Sequence, residues 1–394
     1  MSTFKIICLP TPASGHINPL LPILSELTKS NIEVLVYTSI DFKNAVESTG
    51  AKFRYLINFD PNKYLDVRPF RKKREFHLME YTRTNLDLTA DNLEYLAKEI
   101  DREKPNLILY DILWNTPRWV VRYFEKRFTQ TKLPPLIAYQ PSFCTKRGIY
   151  PNDFEVGLFL NVTLKVVWNM LRLFISFYRI SCRFGVKFVN PLADLENPIE
   201  NTRFVLTTVL PELQPRAHLF DKKFYKFIGA TIDDRQSLKL VEAKKDPIHE
   251  ILKRFEAKNS KLNILADEKE YLIYVSLGTV FNNNLSIYKM ILDAVTTFDL
   301  ELDSGEFEHK VRFKQFKLVM STGEKVYNQF EKMIQGNEYS LSESILLVKS
   351  APQIEILKRA ALFITHCGCN SSSESVHYGG SKKVFYQFSI FNLE

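Results

Sequence analysis

Two clusters in this chain combine residue types and spacings that could do chemistry. The first lies between Ser350 and Gly380, SAPQIEILKRAALFITHCGCNSSSESVHYGG, where the tight turn His366-Cys367-Gly368-Cys369 joins a short apolar run, Ala361 to Thr365, to a helix-like segment, Asn370 to Tyr378. A turn from a parallel strand into a helix leaves unpaired N–H groups and the positive end of the helix dipole at the carboxyl edge of a sheet, which suits a phosphate. Gly368 lets the backbone approach an anion, Asn370 and Ser371 add donors, and His366 sets an imidazole beside it. Glu374, one turn into the helix, is placed to accept hydrogen bonds from a ribose diol. The second cluster is His16, in the turn after the first strand, and Asp111, which ends a later strand on the same edge. Histidine is the natural base near neutral pH, and a carboxylate on its second nitrogen would orient the ring and stabilise the imidazolium. Other readings stay open at this point: His16 as an ordinary turn residue, Asp111 as the cap of the next helix, the glycine turn as a site for some other phosphate.

The elements that must position these residues follow from hydrophobic pattern. Phe4 to Leu9, Ile32 to Thr38, Lys52 to Leu56, Leu107 to Tyr110 and Leu136 to Tyr139 read as buried strands, with a helix opening near Pro19, another from about Asp41 and a long one over roughly Tyr81 to Asp101. Strands alternating with helices argue for a parallel, doubly wound α/β sheet. From Phe154 to Phe188 the sequence turns helical and aromatic-rich, and Val205 to Thr208 and Phe227 to Ile228 close the first unit. A second α/β unit has strands at Tyr271 to Val275, Phe316 to Met320, Ile345 to Val348 and Ala361 to Thr365. The charged stretch between the two units lacks strong strand signals. We therefore expect a first domain over 1–245, a linker at 246–268 and a second domain over 269–394.

Bulk properties narrow the function classes. With 394 residues, 45% hydrophobic and 25% charged, the chain can bury two sizeable cores. A formal charge of +8 favours an anionic partner without choosing among nucleotide sugar, nucleic acid and acidic membrane. Arg71-Lys72-Lys73-Arg74 reads as a solvated loop. Five cysteines are too few and scattered for a disulfide framework, which suggests a reducing, cytoplasmic setting. His366, Cys367 and Cys369 lie close together, but no second ligand pair has zinc-like spacing, so no metal is expected. The N-terminus lacks a signal-peptide pattern. Leu158 to Ile180 is apolar, yet Asn161, Lys165, Asn169 and Arg172 interrupt it, so it reads as one or two buried or amphipathic helices and not as a membrane span; peripheral membrane contact of the chain stays open.

Pro352-Gln353, Thr365-His366, Gly368, Asn370-Ser371 and Glu374 together resemble the donor signature of the UDP-dependent glycosyltransferases, P-Q followed by T-H-x-G-x-N-S-x-x-E. Ser14-Gly15-His16-Ile17-Asn18-Pro19 resembles that family's G-H-x-N-P acceptor-domain motif, and Ser276-Leu277-Gly278-Thr279 its first loop near the donor phosphates. The segment Leu206 to Gly229 is similar to the one before the interdomain linker, so the resemblance runs along nearly the whole chain. It implies the GT-B fold, two Rossmann-like domains facing across a cleft, and transfer of a hexose from a UDP-sugar with inversion to a hydroxyl of a small lipophilic acceptor. By the same resemblance His16 is the base, Asp111 its partner, and Ser276, Gly278, Thr279, Gln353, His366, Gly368, Asn370, Ser371 and Glu374 bind the donor. No metal, no cofactor beyond the UDP-sugar co-substrate and no nucleic acid are implied.

The chain departs from the pattern in places. Ser350 stands where many plant relatives stack a tryptophan on uracil, and Cys369 where plants again have tryptophan. Ile390 and Phe391 align with the Asp-Gln pair that reads sugar hydroxyls, and Glu394 falls before the family's terminal helices, so the resemblance implies an incomplete second domain. Those departures support an alternative, a catalytically impaired fragment that retains part of the UDP site. A sugar-nucleotide epimerase is a further one, weakened by the G-H-x-N-P match.

Overall fold

The computed structural model describes residues 3–59, 77–144, 164–189, 197–232, 247–259, 271–278, 282–304 and 316–379. The chain falls into two compact units, Met1–Thr231 and Ile232–Glu394.

In the first unit, strands β1 (Lys5–Leu9), β2 (Glu33–Thr38), β3 (Lys52–Tyr55), β4 (Leu107–Asp111), β5 (Leu136–Gln140), β6 (Thr202–Thr207) and β7 (Tyr225–Phe227) form a seven-stranded sheet in the order β3-β2-β1-β4-β5-β6-β7. Each neighbouring pair is parallel. Parallel strands need helical crossovers that cover both faces, which is why these strands are apolar on both sides rather than alternating. Ile7 and Leu9 point into one core with Leu35, Tyr37, Ile108 and Tyr110, while Ile6 and Cys8 point into another with Val34, Val36 and Leu109. Helix α1 (Ser14–Ile17), a 3-10 turn (Asn18–Leu20) and α2 (Leu21–Lys29) follow β1, and Ile17, Leu20, Leu21 and Leu24 seal the second of these cores together with Val46 of α3 (Lys43–Glu47). Helices α4 (His77–Glu103), α5 (Thr116–Arg127) and α6 (Leu164–Phe184) contribute to the other.

In the second unit, β8 (Tyr271–Ser276), β9 (Phe316–Ser321), β10 (Ile345–Val348) and β11 (Leu362–Thr365) form a four-stranded parallel sheet in the order β10-β9-β8-β11. Helix α7 (Pro247–Asn259) lies within the stretch expected as a linker at 246–268. Ile248, Leu252 and Phe255 are buried against Leu272, Tyr274, Val319 and Phe363 in the core of this unit, whereas His249, Glu250, Lys253 and Arg254 face solvent. Charge on that outer face is what makes the stretch read as a spacer. Helices α8 (Leu285–Ser304) and α9 (Gly323–Gln335) cover the opposite face through Tyr288, Ile291, Leu292, Val326 and Phe330. Helices α10 (Gln353–Leu357) and α11 (Cys369–Gly379) flank β11. Both units are thus doubly wound α/β sheets.

Candidate active site

In a sheet wound in the order 3-2-1-4, the chain leaves strand 1 toward one face and strand 4 toward the other, so a crevice opens at the carboxyl ends of that central pair. The first sheet has its reversal between β1 and β4, where Leu9 pairs with Tyr110. The second has the same local order with its reversal between β8 and β11, where Thr365 pairs with Ser276. Every site residue expected from sequence that falls among the described residues sits at, or one helix turn beyond, one of these two points or on α10 beside the second. Thr279 lies outside the described residues.

At the first crevice His16 Nδ1 lies 2.6 Å from Asp111 Oδ2. The Asp111 side chain is fully buried and that of His16 is 21% exposed, so the pair has one closed end and one open end. His16 sits in a helical turn, not in the loop expected from sequence, where the helix was to open near Pro19. The Ala13 carbonyl accepts the N–H groups of His16 and Ile17, starting the helix at Ser14. Asp111 also accepts from Thr11 N–H (3.2 Å) and Leu113 N–H (2.9 Å). Helix α5 starts five residues on with Asn115 at its N-cap, so the carboxylate turns to the histidine and its own turn rather than capping that helix.

Burial alone would raise the Asp111 carboxyl, but the facing His16 charge and the converging hydrogen bonds outweigh it and hold Asp111 below the carboxylate range. Burial alone would lower His16; the Asp111 charge and hydrogen bond prevail and raise it above 6.5. Tyr139, paired in register with Asp111 on the neighbouring strand, donates its hydroxyl to the His16 carbonyl at 3.2 Å. Burial first, then the Asp111 charge, push the Tyr139 phenol well above its usual value, so it remains a donor. The sequence reading passed over Tyr139 and Thr11; both stand on the same carboxyl edge, and that position is the signal that could have found them.

At the second crevice the turn His366-Cys367-Gly368 leads from β11 into α11. Cys367 has φ 58°, a left-handed conformation uncommon for a residue with a side chain, and Gly368 accepts the Ser372 N–H to open the helix. The His366 ring is clasped between two glycines. A β-carbon on Gly278, which has φ +79°, would overlap its Cε1 and stand 3.0 Å from Nδ1; one on Gly368 would stand 2.6 Å from Nε2. His366 Nδ1 is buried with no protein partner. Burial lowers the His366 pKa, keeping the ring neutral near pH 7.

Gln353, at the start of α10, donates to Glu374 Oε2 at 2.6 Å and to Ser371 Oγ at 3.3 Å, and accepts from the Tyr274 hydroxyl at 3.4 Å. Burial raises Glu374 to about 7, against the opposing Gln353 hydrogen bond. Gln353, Ser371 and Glu374 are therefore one connected group. Ser276 is buried at the end of β8, and Asn370 is partly buried in the first turn of α11. Among the described residues no group of three or more His, Cys, Asp and Glu side chains gathers as for a metal.

No family model matches the chain. It is 24% identical over 372 residues to the NDP-glycosyltransferase YjiC of Bacillus licheniformis, covering 93% of this chain and 76% of that protein. It is 21% identical over 379 residues to a Bacillus subtilis protein named uncharacterized UDP-glucosyltransferase YojK, covering 95% and 78%. Among solved structures, the glycotransferase of kitacinnamycin superposes with a TM-score of 0.65 at 19% identity, over 96% of this chain and 79% of that one. This chain has the GT-B fold and is similar to the nucleotide-sugar glycosyltransferases. The resemblance read from its motifs therefore holds along the chain, and no helix among the described residues is long and apolar enough to cross a membrane.

Proposed function

We propose that the chain transfers a hexose from a UDP-sugar to a hydroxyl of a small lipophilic acceptor, with inversion at the anomeric carbon. The observation that carries this reading is the His16–Asp111 pair, 2.6 Å apart, closed at the carboxylate and open at the imidazole. In the reaction, His16 Nε2 takes the proton of the acceptor hydroxyl while its oxygen forms a bond to the anomeric carbon. The bond from that carbon to the β-phosphate oxygen breaks on the opposite side, and UDP leaves with the electron pair. The imidazolium that forms faces Asp111, whose charge is already set for it.

The leaving diphosphate gains charge as the bond breaks. The dipole of helix α11 favours that charge, and an N–H of the neutral His366 supplies a donor for it. Gln353 and Glu374 suit the ribose diol, which exchanges hydrogen bonds with a pair that already hold each other in place.

Incubation with radiolabelled UDP-glucose and a panel of sterol, macrolide and phenolic acceptors tests the proposal. Labelled product of inverted configuration is expected. UDP binding without turnover on any acceptor would favour an impaired descendant, and epimerisation of the UDP-sugar without acceptor would replace transfer by a different reaction.

A further inference from the structure

The outer face of α6 departs from what a solvated helix carries. Leu173, Phe177, Ile180 and Phe184 turn inward, with Phe177 packed on Trp119 at a centroid distance of 5.8 Å. The opposite face is the one a soluble protein fills with charge. Here it carries Val167, Trp168, Leu171, Ile175 and Tyr178, with Trp168 59% and Tyr178 63% exposed. At 100° per residue these five fall on one continuous stripe. Arg172, Arg179 and Arg183, all exposed, run along one border of that stripe, and Leu164–Phe184 contains no Asp or Glu.

We propose that this face is a docking surface for an anionic lipid membrane, on which α6 lies in the plane of the interface. An apolar stripe with aromatic members sinks into the boundary between headgroups and acyl chains, where Trp and Tyr are most stable. A guanidinium border reaches lipid phosphates, bidentate in geometry. The net charge of +8 adds long-range attraction in the same sense. A second copy of the chain fits this face poorly, because two such helices would bring arginine rows together with no acidic residue on either to pair them. At about 1.5 Å per residue, the helix offers roughly 30 Å of contact, long enough to lie on a surface through several side chains at once.

The test uses the full chain and vesicles of phosphatidylcholine, with or without phosphatidylglycerol. The chain has three tryptophans; Trp114 and Trp119 are buried, so a change in emission on binding reports Trp168. We expect co-sedimentation with the anionic vesicles, a blue shift of emission, and weakening by salt. The triple variant Trp168→Ser, Leu171→Ser, Ile175→Ser alters exposed side chains only and should reduce the apparent affinity by about tenfold or more with the circular dichroism unchanged. Arg172→Gln with Arg179→Gln should reduce it by several-fold and lessen its salt dependence. Three results would overturn the proposal: no binding of the wild type to anionic vesicles, binding without a Trp168 emission shift, or undiminished binding of both variants. Sedimentation showing a dimer that the triple variant dissolves, without lipid binding, would assign the face to a second copy instead.

Discussion

Replacing Asp111 by Asn tests the proposed catalytic pair with almost no change of shape. Three N–H groups converge on the two carboxylate oxygens: Thr11 N–H and His16 Nδ1–H on Oδ2, Leu113 N–H on Oδ1. An amide keeps one acceptor and turns the other position into a donor. With its oxygen left toward Leu113, the amide nitrogen faces Thr11 N–H, and His16 must offer a lone pair at Nδ1, which moves its proton to Nε2. Nε2 then has no lone pair with which to take a proton from an acceptor hydroxyl. With the oxygen turned the other way, the part-buried Leu113 N–H loses its acceptor. The first arrangement leaves the buried Thr11 N–H unpaired, at a cost of about 1–3 kcal/mol, the second costs less, and both remove the charge that faces the imidazolium. The expected outcome is a loss of kcat on the order of 10² to 10⁴-fold, a lower melting temperature and unchanged UDP affinity. Steady-state transfer from UDP-glucose, calorimetry with UDP and a thermal melt measure the three. A folded Asp111→Asn protein turning over at the wild-type rate would refute the reasoning, as would parallel loss of UDP binding and turnover.

His16→Ala should abolish the base, lowering transfer by on the order of 10² to 10⁴-fold with UDP affinity retained; equal loss of both would make His16 structural. Because Asp111 holds His16 above 6.5 and the base must be neutral, the rising limb of kcat against pH should lie above pH 6.5 in the wild type. In stability, the raised His16 contributes fully below 6.5 and the lowered Asp111 fully above 3.8, so urea titrations should show the pair's largest contribution between those values. Glu374 ionises near 7, so calorimetric UDP affinity should rise as pH passes from about 6 to about 8, and Glu374→Gln should flatten that dependence. Gly278→Ala places a methyl against the His366 ring at a left-handed backbone position; a fall in stability of about 1–2 kcal/mol or more and about tenfold weaker UDP binding are expected, and wild-type affinity would show that the ring is free to move.

How much of this was legible in the sequence depended on whether the determining contacts were local. The strands were, because a run buried on both faces is apolar at every position, as at Ile6, Ile7, Cys8 and Leu9. The strand-to-helix turn at His366 was also legible, since its glycine, histidine and polar helix start lie side by side. Helix α7 was not: three buried residues among exposed charges leave too little apolar signal in 13 residues to distinguish it from a spacer. The clasp of His366 between Gly278 and Gly368 was hidden for another reason, because β8 and β11 are neighbours only through the pairing of Thr365 with Ser276. Tyr139 was hidden similarly, by its register opposite Asp111.

What local pattern did not contain, winding order supplies. In each unit the residues singled out follow the first strand of the unit or end the strand laid beside it after the reversal: His16 and Asp111 in one, Gly278 and His366 in the other. A sheet of order 3-2-1-4 brings those two segments together whatever their separation in sequence, and sends their helices to opposite faces so that the space between stays open. Hence a histidine after one of the two strands meets its partner after the other, a carboxylate in the first sheet and a glycine in the second. That difference in partner separates the chemistry: a carboxylate raises an imidazole to accept a proton, while a ring buried against glycines stays neutral and keeps a donor for an anion.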